Sequence, residues 1–340
     1  MSARAPIATR PRCLITGASG FIGSHLAARL PAEGYDVRCL VRRTSDRSQL
    51  QTLGAEIVVG DLTSAPSLIA AADGCAYVLH CAALVSDWAT VAEITAVNVE
   101  GTRNVLAAAG ATSVRRVIHI SSTDVYGHPA RPALAEDYVA TGFANWYAQT
   151  KLDAEAEVRR AAAEHGLDVV ILRPATVYGP GSTDVIGEIA RALRAGNMLL
   201  IDRGRANAGL VFVENVIDAA LLALTSDAAR GEAFNLTDGL DVSWRTFTDD
   251  LATGLRCAPA RWSMPYPMAA AIGYSLEHGY RALRRTTHLS TPPLLSRQAV
   301  QVLGRDQDFS NRKARTLLGW EPRVDYPTGL AATLAWLEAG

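Results

Sequence analysis

A tyrosine and a lysine four residues apart, in Tyr147-Ala148-Gln149-Thr150-Lys151, form the pair in this chain with the clearest chemical use. The spacing predicts a helix that opens there and continues through Ala154, Val158 and Ala161, with residues four apart on one face. A phenol titrates near ~10 and is a poor base at neutral pH. A neighbouring ammonium favours the phenolate and lowers that value, so Tyr147 fits a general acid/base for a carbinol or carbonyl oxygen. Earlier in the chain, a strand predicted over 117–121 ends in Ser121-Ser122-Thr123-Asp124-Val125-Tyr126-Gly127. Ser122 is placed to hold the same oxygen. Of the 33 basic residues only two are lysines, Lys151 and Lys313. Arginine and lysine differ in shape and acidity, so a chain this rich in arginine keeps an ammonium where one is needed.

A Tyr–Lys pair at this spacing is ordinary on helix surfaces; the elements before it give it meaning. Residues 13–16 read as a wholly apolar strand, and Gly17-Ala18-Ser19-Gly20-Phe21-Ile22-Gly23 turns it into a helix beginning near Phe21. Glycines at this spacing permit a tight turn, close approach of a pyrophosphate to the backbone, and close helix–strand packing, while the helix N-terminus offers N–H donors. This is a dinucleotide site. A second strand over 36–41 ends in Val41, Arg42 and Arg43, where an NAD site would place a carboxylate for the ribose 2′-hydroxyl. Guanidinium there suits a 2′-phosphate, so NADP(H) is expected over NAD(H). A third strand, 55–59, leads to Gly60-Asp61-Leu62, with Asp61 either meeting the adenine or capping the next helix. The fourth, 77–81, is followed by Ala82 and Ala83, small enough for a cofactor to lie against; His80 reads as a packed strand residue. With the helix bearing Asn98 and the fifth strand, the alternation predicts an α/β fold with a right-handed, doubly wound parallel sheet and ligands at its carboxyl edge.

Composition narrows the classes. The chain is 340 residues long, 49% hydrophobic and carries a formal net charge of −1, which disfavours a general nucleic-acid binder. No apolar run approaches membrane-spanning length. Residues 1–11 read as a flexible polar arm. The five cysteines show no metal spacing and read as reduced thiols of a cytoplasmic protein.

In this order, GASGFIG, HCAA, NVEGT, SSTDVYG, YAQTK and LRPATVYGPG resemble the extended short-chain dehydrogenase/reductase superfamily over nearly the whole chain. The resemblance implies a Rossmann sheet and makes Ser122, Tyr147 and Lys151 the catalytic set, with Thr123 a close competitor for Ser122 and a candidate substrate contact. It implies cofactor contacts from Gly17, Ser19, Gly20, Phe21, Ile22, Gly23, Arg42, Asp61, Leu62, Ala82, Ala83, Asn98, Lys151, Pro174 and Val177. Residues 12–178 form the dinucleotide domain, 209–236 return to it, and 179–208 with 237–340 form a smaller, mostly helical substrate region. Homodimers are common in the superfamily.

In that second half, a helix over 265–285 has apolar residues at Met268, Ile272 and Leu276 and a basic end at Arg281, Arg284 and Arg285. A core or lid helix, a membrane-surface helix and a dimer contact all stay open. The segments 293–297, 309–314 and 318–322 are similar to the 3β-hydroxysteroid dehydrogenase/isomerase branch, which includes bacterial reductases of long-chain 2-alkyl-3-oxo acids. That likeness implies a bulky, largely apolar keto or hydroxy substrate; Arg297 either meets a carboxylate or is structural. The expected activity is hydride transfer with Tyr147 moving the proton. The alternatives are a nucleotide-sugar epimerase or dehydratase on the same scaffold, and a dinucleotide sensor without catalysis. Dehydration is disfavoured because the Asp-Glu pair typical of sugar dehydratases is replaced by Thr123-Asp124.

Overall fold

The computed structural model describes residues 10–129, 131–140, 145–284 and 295–339. The expected arm over residues 1–9 and the residues 285–294, including Arg285, lie outside them, and the side chains of 281–284 are likewise not described.

Strands β1 (Arg12–Thr16), β2 (Asp36–Val41), β3 (Glu56–Val59), β4 (Tyr77–His80), β5 (Arg116–Ile120) and β6 (Val169–Pro174) alternate with helices. Helix α1 (Phe21–Arg29) follows β1, α2 (Ser48–Thr52) follows β2, and α3 (Ala65–Ala72) follows β3. After β4 come α4 (Val91–Thr95), one wide π-type turn over Ala96–Glu100, and α5 (Gly101–Gly110); α6 (Trp146–His165) precedes β6. All neighbouring strands of the main sheet are parallel. The order is β10-β6-β5-β4-β1-β2-β3, where β10 is Ala233–Leu236. The strand order reverses between β1 and β4, and it is outside the carboxyl ends at such a reversal that folds of this kind bind ligands, in the crevice the topology creates.

Wholly apolar strands are what a sheet covered on both faces requires. Ile15, Leu79, Ile118 and Leu172 pack on one face with α1 and α8 (Val213–Thr225). Leu14, Val78, Val117 and Ile171 pack on the other with α3, α5 and α6.

After β6 the alternation weakens, as expected. A short strand β7 (Thr176–Tyr178) leads to α7 (Glu188–Arg194), β8 (Leu199–Ile201) and β9 (Leu210–Phe212). One expectation needs correction here: β9 does not rejoin the main sheet but pairs with β7, and only α8 and β10 return. The remainder is α9 (Trp244–Gly254), β11 (Trp262–Met264), α10 (Tyr266–Arg284), α11 (Arg297–Gly304) and α12 (Tyr326–Ala339). Ser243 caps α9 as the sequence suggests, accepting from Thr246 N at 3.1 Å. A separate core of Tyr178, Phe212, Trp244 and Phe247 holds this part together.

Of the apolar residues of α10, Ala269 is buried, but Met268 is 49% and Leu276 40% exposed. No helix among the described residues is long and apolar enough to cross a membrane.

Candidate active site

Two helix ends and two strand ends build the crevice. At β1, Gly17 has φ +71°, and a Cβ there would lie 2.7 Å from the backbone of Ala82. A Cβ on Gly23 would lie 2.2 Å from Gly17 O. Both positions therefore need glycine, so that α1 can start close against β1 and β4. Gly20 is the N-cap and brings no side chain to the first-turn N–H groups of Phe21, Ile22 and Gly23. Ser19 and Gly20 are exposed, and Ala82 and Ala83 half-buried, at the crevice mouth. A cradle that side chains would fill, beside uncapped N–H donors, fits a pyrophosphate.

Arg42 and Asp61 lie at the neighbouring ends of β2 and β3, and the Arg42 charge helps hold the Asp61 carboxyl below its usual range. The larger cause is Thr63, whose N and Oγ1 donate to Asp61 Oδ1 at 2.9 and 2.8 Å. Asp61 is thus held in a local turn, and it is not the cap of the next helix, because Ser64 is the N-cap of α3. Leu62 packs under Gly101, and its carbonyl accepts from Asn104 at 2.8 Å.

Asn98 lies beside the loop after β4. It is 2% exposed. Its Oδ1 accepts from Leu84 N at 2.7 Å, and its Nδ2 donates to Leu84 O and Thr150 Oγ1. The amide therefore ties the loop after β4 to α6. Pro174 ends β6, and Val177 lies half-buried in β7; between them Ala175 N and Thr176 N donate to Leu236 O and Gly209 O.

The catalytic candidates come together at the end of β5. Ser122 starts a tight turn over Thr123–Tyr126, its Oγ accepting from Asp124 N at 3.1 Å. The Ser122 hydroxyl also lies beside the Tyr147 phenol, near enough to favour its charged form. Thr123 is 3% exposed; of the two competitors, it is Ser122 whose hydroxyl lies beside the Tyr147 phenol. Asn145 orients the helix carrying Tyr147, its Oδ1 accepting from Ala148 N at 2.8 Å. Lys151, one turn further, donates from Nζ to Ile120 O at 2.7 Å.

The electrostatics differ from the sequence expectation. The Tyr147 phenol is not lowered but held well above its ordinary value, by burial first and then by the charges of Asp124 and Asp87. The Ser122 hydroxyl pulls weakly the other way. Burial also pushes the Lys151 ammonium down to about 8, against the carboxylates of Glu155 and Asp124, which favour the charge. His80, packed between Thr16 Oγ1 (2.7 Å) and Thr102 Oγ1 (3.0 Å), is pushed down to about 3, as a packed strand residue should be.

Three participants carried no sequence signal. Asp87 accepts from Ser296 Oγ; Gln298 accepts from Asn145 Nδ2; Glu277 is 2% exposed. Asp87 and Gln298 join the loop after β4 and the start of α6 to α11, and Glu277 joins α10 to α11 through Arg297, contacts that no local pattern encodes. Arg297 donates to both Glu277 oxygens, at 2.8 and 3.0 Å, which favours its structural reading over a substrate carboxylate. Lys313 pairs with Glu232 at 2.6 Å, away from the crevice. A hollow of about 670 Å³ lined by Ala109, His165 and Arg230 lies at the opposite, amino-terminal edge of the sheet, far from this chemistry.

Comparison with known proteins agrees with this geometry. Residues 13–237 match the NAD dependent epimerase/dehydratase family. A 4-hydroxy-2-methyl-3-oxo-4-farnesyl-3,4-dihydroquinoline-1-oxide ketoreductase of Stigmatella aurantiaca is 34% identical over 325 residues, covering 94% of this chain and 95% of that one. The 2-alkyl-3-oxoalkanoate reductase of Stenotrophomonas maltophilia is 28% identical, covering 94% and 97%. Among solved structures, MoeE5 in complex with UDP-glucose and NAD superposes with a TM-score of 0.76 at 26% identity, covering 96% and 99%.

Proposed function

The chain belongs to the NAD-dependent epimerase/dehydratase family of extended short-chain dehydrogenases/reductases, and from that premise we propose that it is an NADP(H)-dependent ketoreductase of bulky, largely apolar ketones. The observation that carries this reading is the meeting of Ser122, Tyr147 and Lys151 at the carboxyl edge of β5, beside the glycine cradle of β1.

A bound reduced nicotinamide supplies hydride to the carbonyl carbon. The chain's own residues handle the oxygen. Ser122 holds it by its hydroxyl, and Tyr147 gives it a proton. Because burial and two carboxylates keep the phenol protonated at neutral pH, Tyr147 is poised as a proton donor, which suits reduction. Lys151, charged below about pH 8, would hold the nicotinamide ribose and stabilise the phenolate left behind. Gly17, Gly20 and Gly23 would hold the pyrophosphate, and Arg42 a 2′-phosphate.

The apolar substrate is supported by exposed Val85 after β4 and Trp146 at the start of α6, and by the farnesylated substrate in the Stigmatella relative's name. The five cysteines are all free, as the reducing cytoplasm favours. A homodimer belongs to the same reading and is checked by sedimentation.

The test is reduction of a long-chain ketone panel with NADPH and NADH by wild type and Tyr147→Phe. Turnover with NADPH that falls in the variant supports the reading; equal turnover in both overturns it. The likeness to MoeE5 favours a second reading, nucleotide-sugar epimerisation. An epimerase would interconvert UDP-sugars without net consumption of cofactor.

A further inference from the structure

Lys151 occupies a place that should discharge it. It is 3% exposed, and among the described residues its neighbours include groups that cannot help. Cys81, after β4, is a neutral thiol pushed up to about 12 by burial. His80 on β4 and His119 on β5 are both neutral, with burial the main cause. Two carboxylates oppose burial: Asp124, in the turn after β5, and Glu155, one turn further along α6. Asp124 already lies 2.9 Å from His128 Nε2.

Glu155 is different in kind. Residues 147, 151 and 155 stand four apart, so they line one face of α6. Glu155 is 1% exposed and is gripped from three sides. Arg173 of β6 donates to both its oxygens, from Nε at 2.8 Å and Nη2 at 2.6 Å. Ser121 donates to Oε1 at 2.7 Å, and Arg159 of the same helix comes within 3.7 Å of Oε2. Arg173 is itself fixed: its Nη1 donates to the Tyr126 hydroxyl at 2.7 Å, and that hydroxyl donates to Asn235 Oδ1 on β10 at 2.7 Å. A buried arginine–carboxylate pair is weak evidence for stability, since apolar residues of similar volume often serve as well. Its place one turn from the ammonium suggests another use.

We propose that Glu155 is a positioning residue that keeps Lys151 charged, as a carboxylate clamped by Arg173 and Ser121 one helical turn from the ammonium. The assignment rests on Tyr147 and Lys151 being the catalytic pair. It explains why burial does not neutralise Lys151 at the pH where the phenol must be re-protonated and the ribose held. Arg173 then serves catalysis at one remove, by stopping the carboxylate from swinging away or taking up a proton.

The two-lysine composition makes this directly measurable. Cofactor-free protein labelled at lysine Cε gives two side-chain NMR signals, and Lys313, paired with Glu232, is the internal reference. In the wild type Lys151 is expected to titrate near about 8. In Glu155→Gln the midpoint should fall by about one pH unit, with Lys313 unmoved. That variant leaves Arg173 buried without its partner, so Glu155→Gln/Arg173→Met removes both charges and should show the same fall. Glu155→Asp, which keeps the charge, should bring the midpoint back towards wild type. An unchanged Lys151 midpoint in either charge-removing variant, with Lys313 native-like, overturns the proposal, as does a midpoint that Glu155→Asp leaves depressed. Failure of Tyr147→Phe to lose turnover would sink the catalytic reading instead and leave these titrations unaffected.

Discussion

The two banks of the crevice are built differently. On the nucleotide bank, contact is prepared by main chain: Gly17 and Gly23 leave no room for a Cβ, and the N-terminus of α1 is left without a side-chain cap. On the bank proposed to take the acceptor, α11 meets the loop after β4 and the start of α6 through side chains, and α10 leaves Met268 and Leu276 partly exposed. Backbone shape fixes what every turnover shares, a nicotinamide and a proton; side chains are left to choose the ketone. Substitutions on the first bank should therefore abolish chemistry or cofactor binding, and those on the second should shift substrate preference at little structural cost.

The largest effect is expected where the banks meet. Tyr147→Phe should lower turnover by roughly 10²–10⁴-fold while cofactor affinity, read by NADPH fluorescence, stays near wild type. An equal loss of affinity would place the phenol in cofactor binding rather than proton transfer. Gly17→Ala comes next. A left-handed φ and a 2.7 Å backbone overlap should destabilise the fold by about 1–3 kcal/mol and weaken cofactor binding, read by thermal melts with and without NADPH. Arg42→Ala should weaken NADPH by roughly 10–100-fold, the range of a charge-assisted hydrogen bond, and NADH much less. Equal losses would remove the 2′-phosphate from the nucleotide bank.

Alkaline pH should touch the first bank alone. Burial lowers Lys151 to about 8, so its charge is present below that pH and lost above it; kcat/KM for ketone reduction should then fall about tenfold per pH unit beyond the midpoint. The smallest effect belongs to the acceptor bank. Met268→Ser with Leu276→Ser should change stability by only about 1 kcal/mol, because both side chains are roughly half exposed. KM for a long-chain ketone should rise while KM for a short one holds. A large loss of stability would mean that α10 is packed, not presented.

The same division governs what the sequence discloses. The glycine turn and the strands over 36–41 and 233–236 are local patterns whose spacing implies their geometry, and they fold as expected. The charge state of Tyr147 was not legible, because it depends on burial and on Asp87 and Asp124, which come from other loops. Asn98 and Arg297 carry donors that suit a ligand, yet each is taken up by a partner distant in sequence: Asn98 by Leu84 and Thr150, Arg297 by Glu277. Likewise, apolar periodicity located α10 but could not say which way its face turns. Tertiary packing decides that, and β9 shows the same limit by pairing with β7 where a return to the main sheet was expected.

One measurement bears most directly on hydride transfer at Tyr147. Protein supplied with NADPH deuterated on either face of C4 and a neutral long-chain ketone is followed by mass spectrometry of the alcohol. Deuterium should appear at the carbinol carbon from one face only in the wild type, and should be almost absent with Tyr147→Phe at saturating cofactor. Unlabelled product from both faces, or equal labelling by the Tyr147→Phe protein, would contradict it.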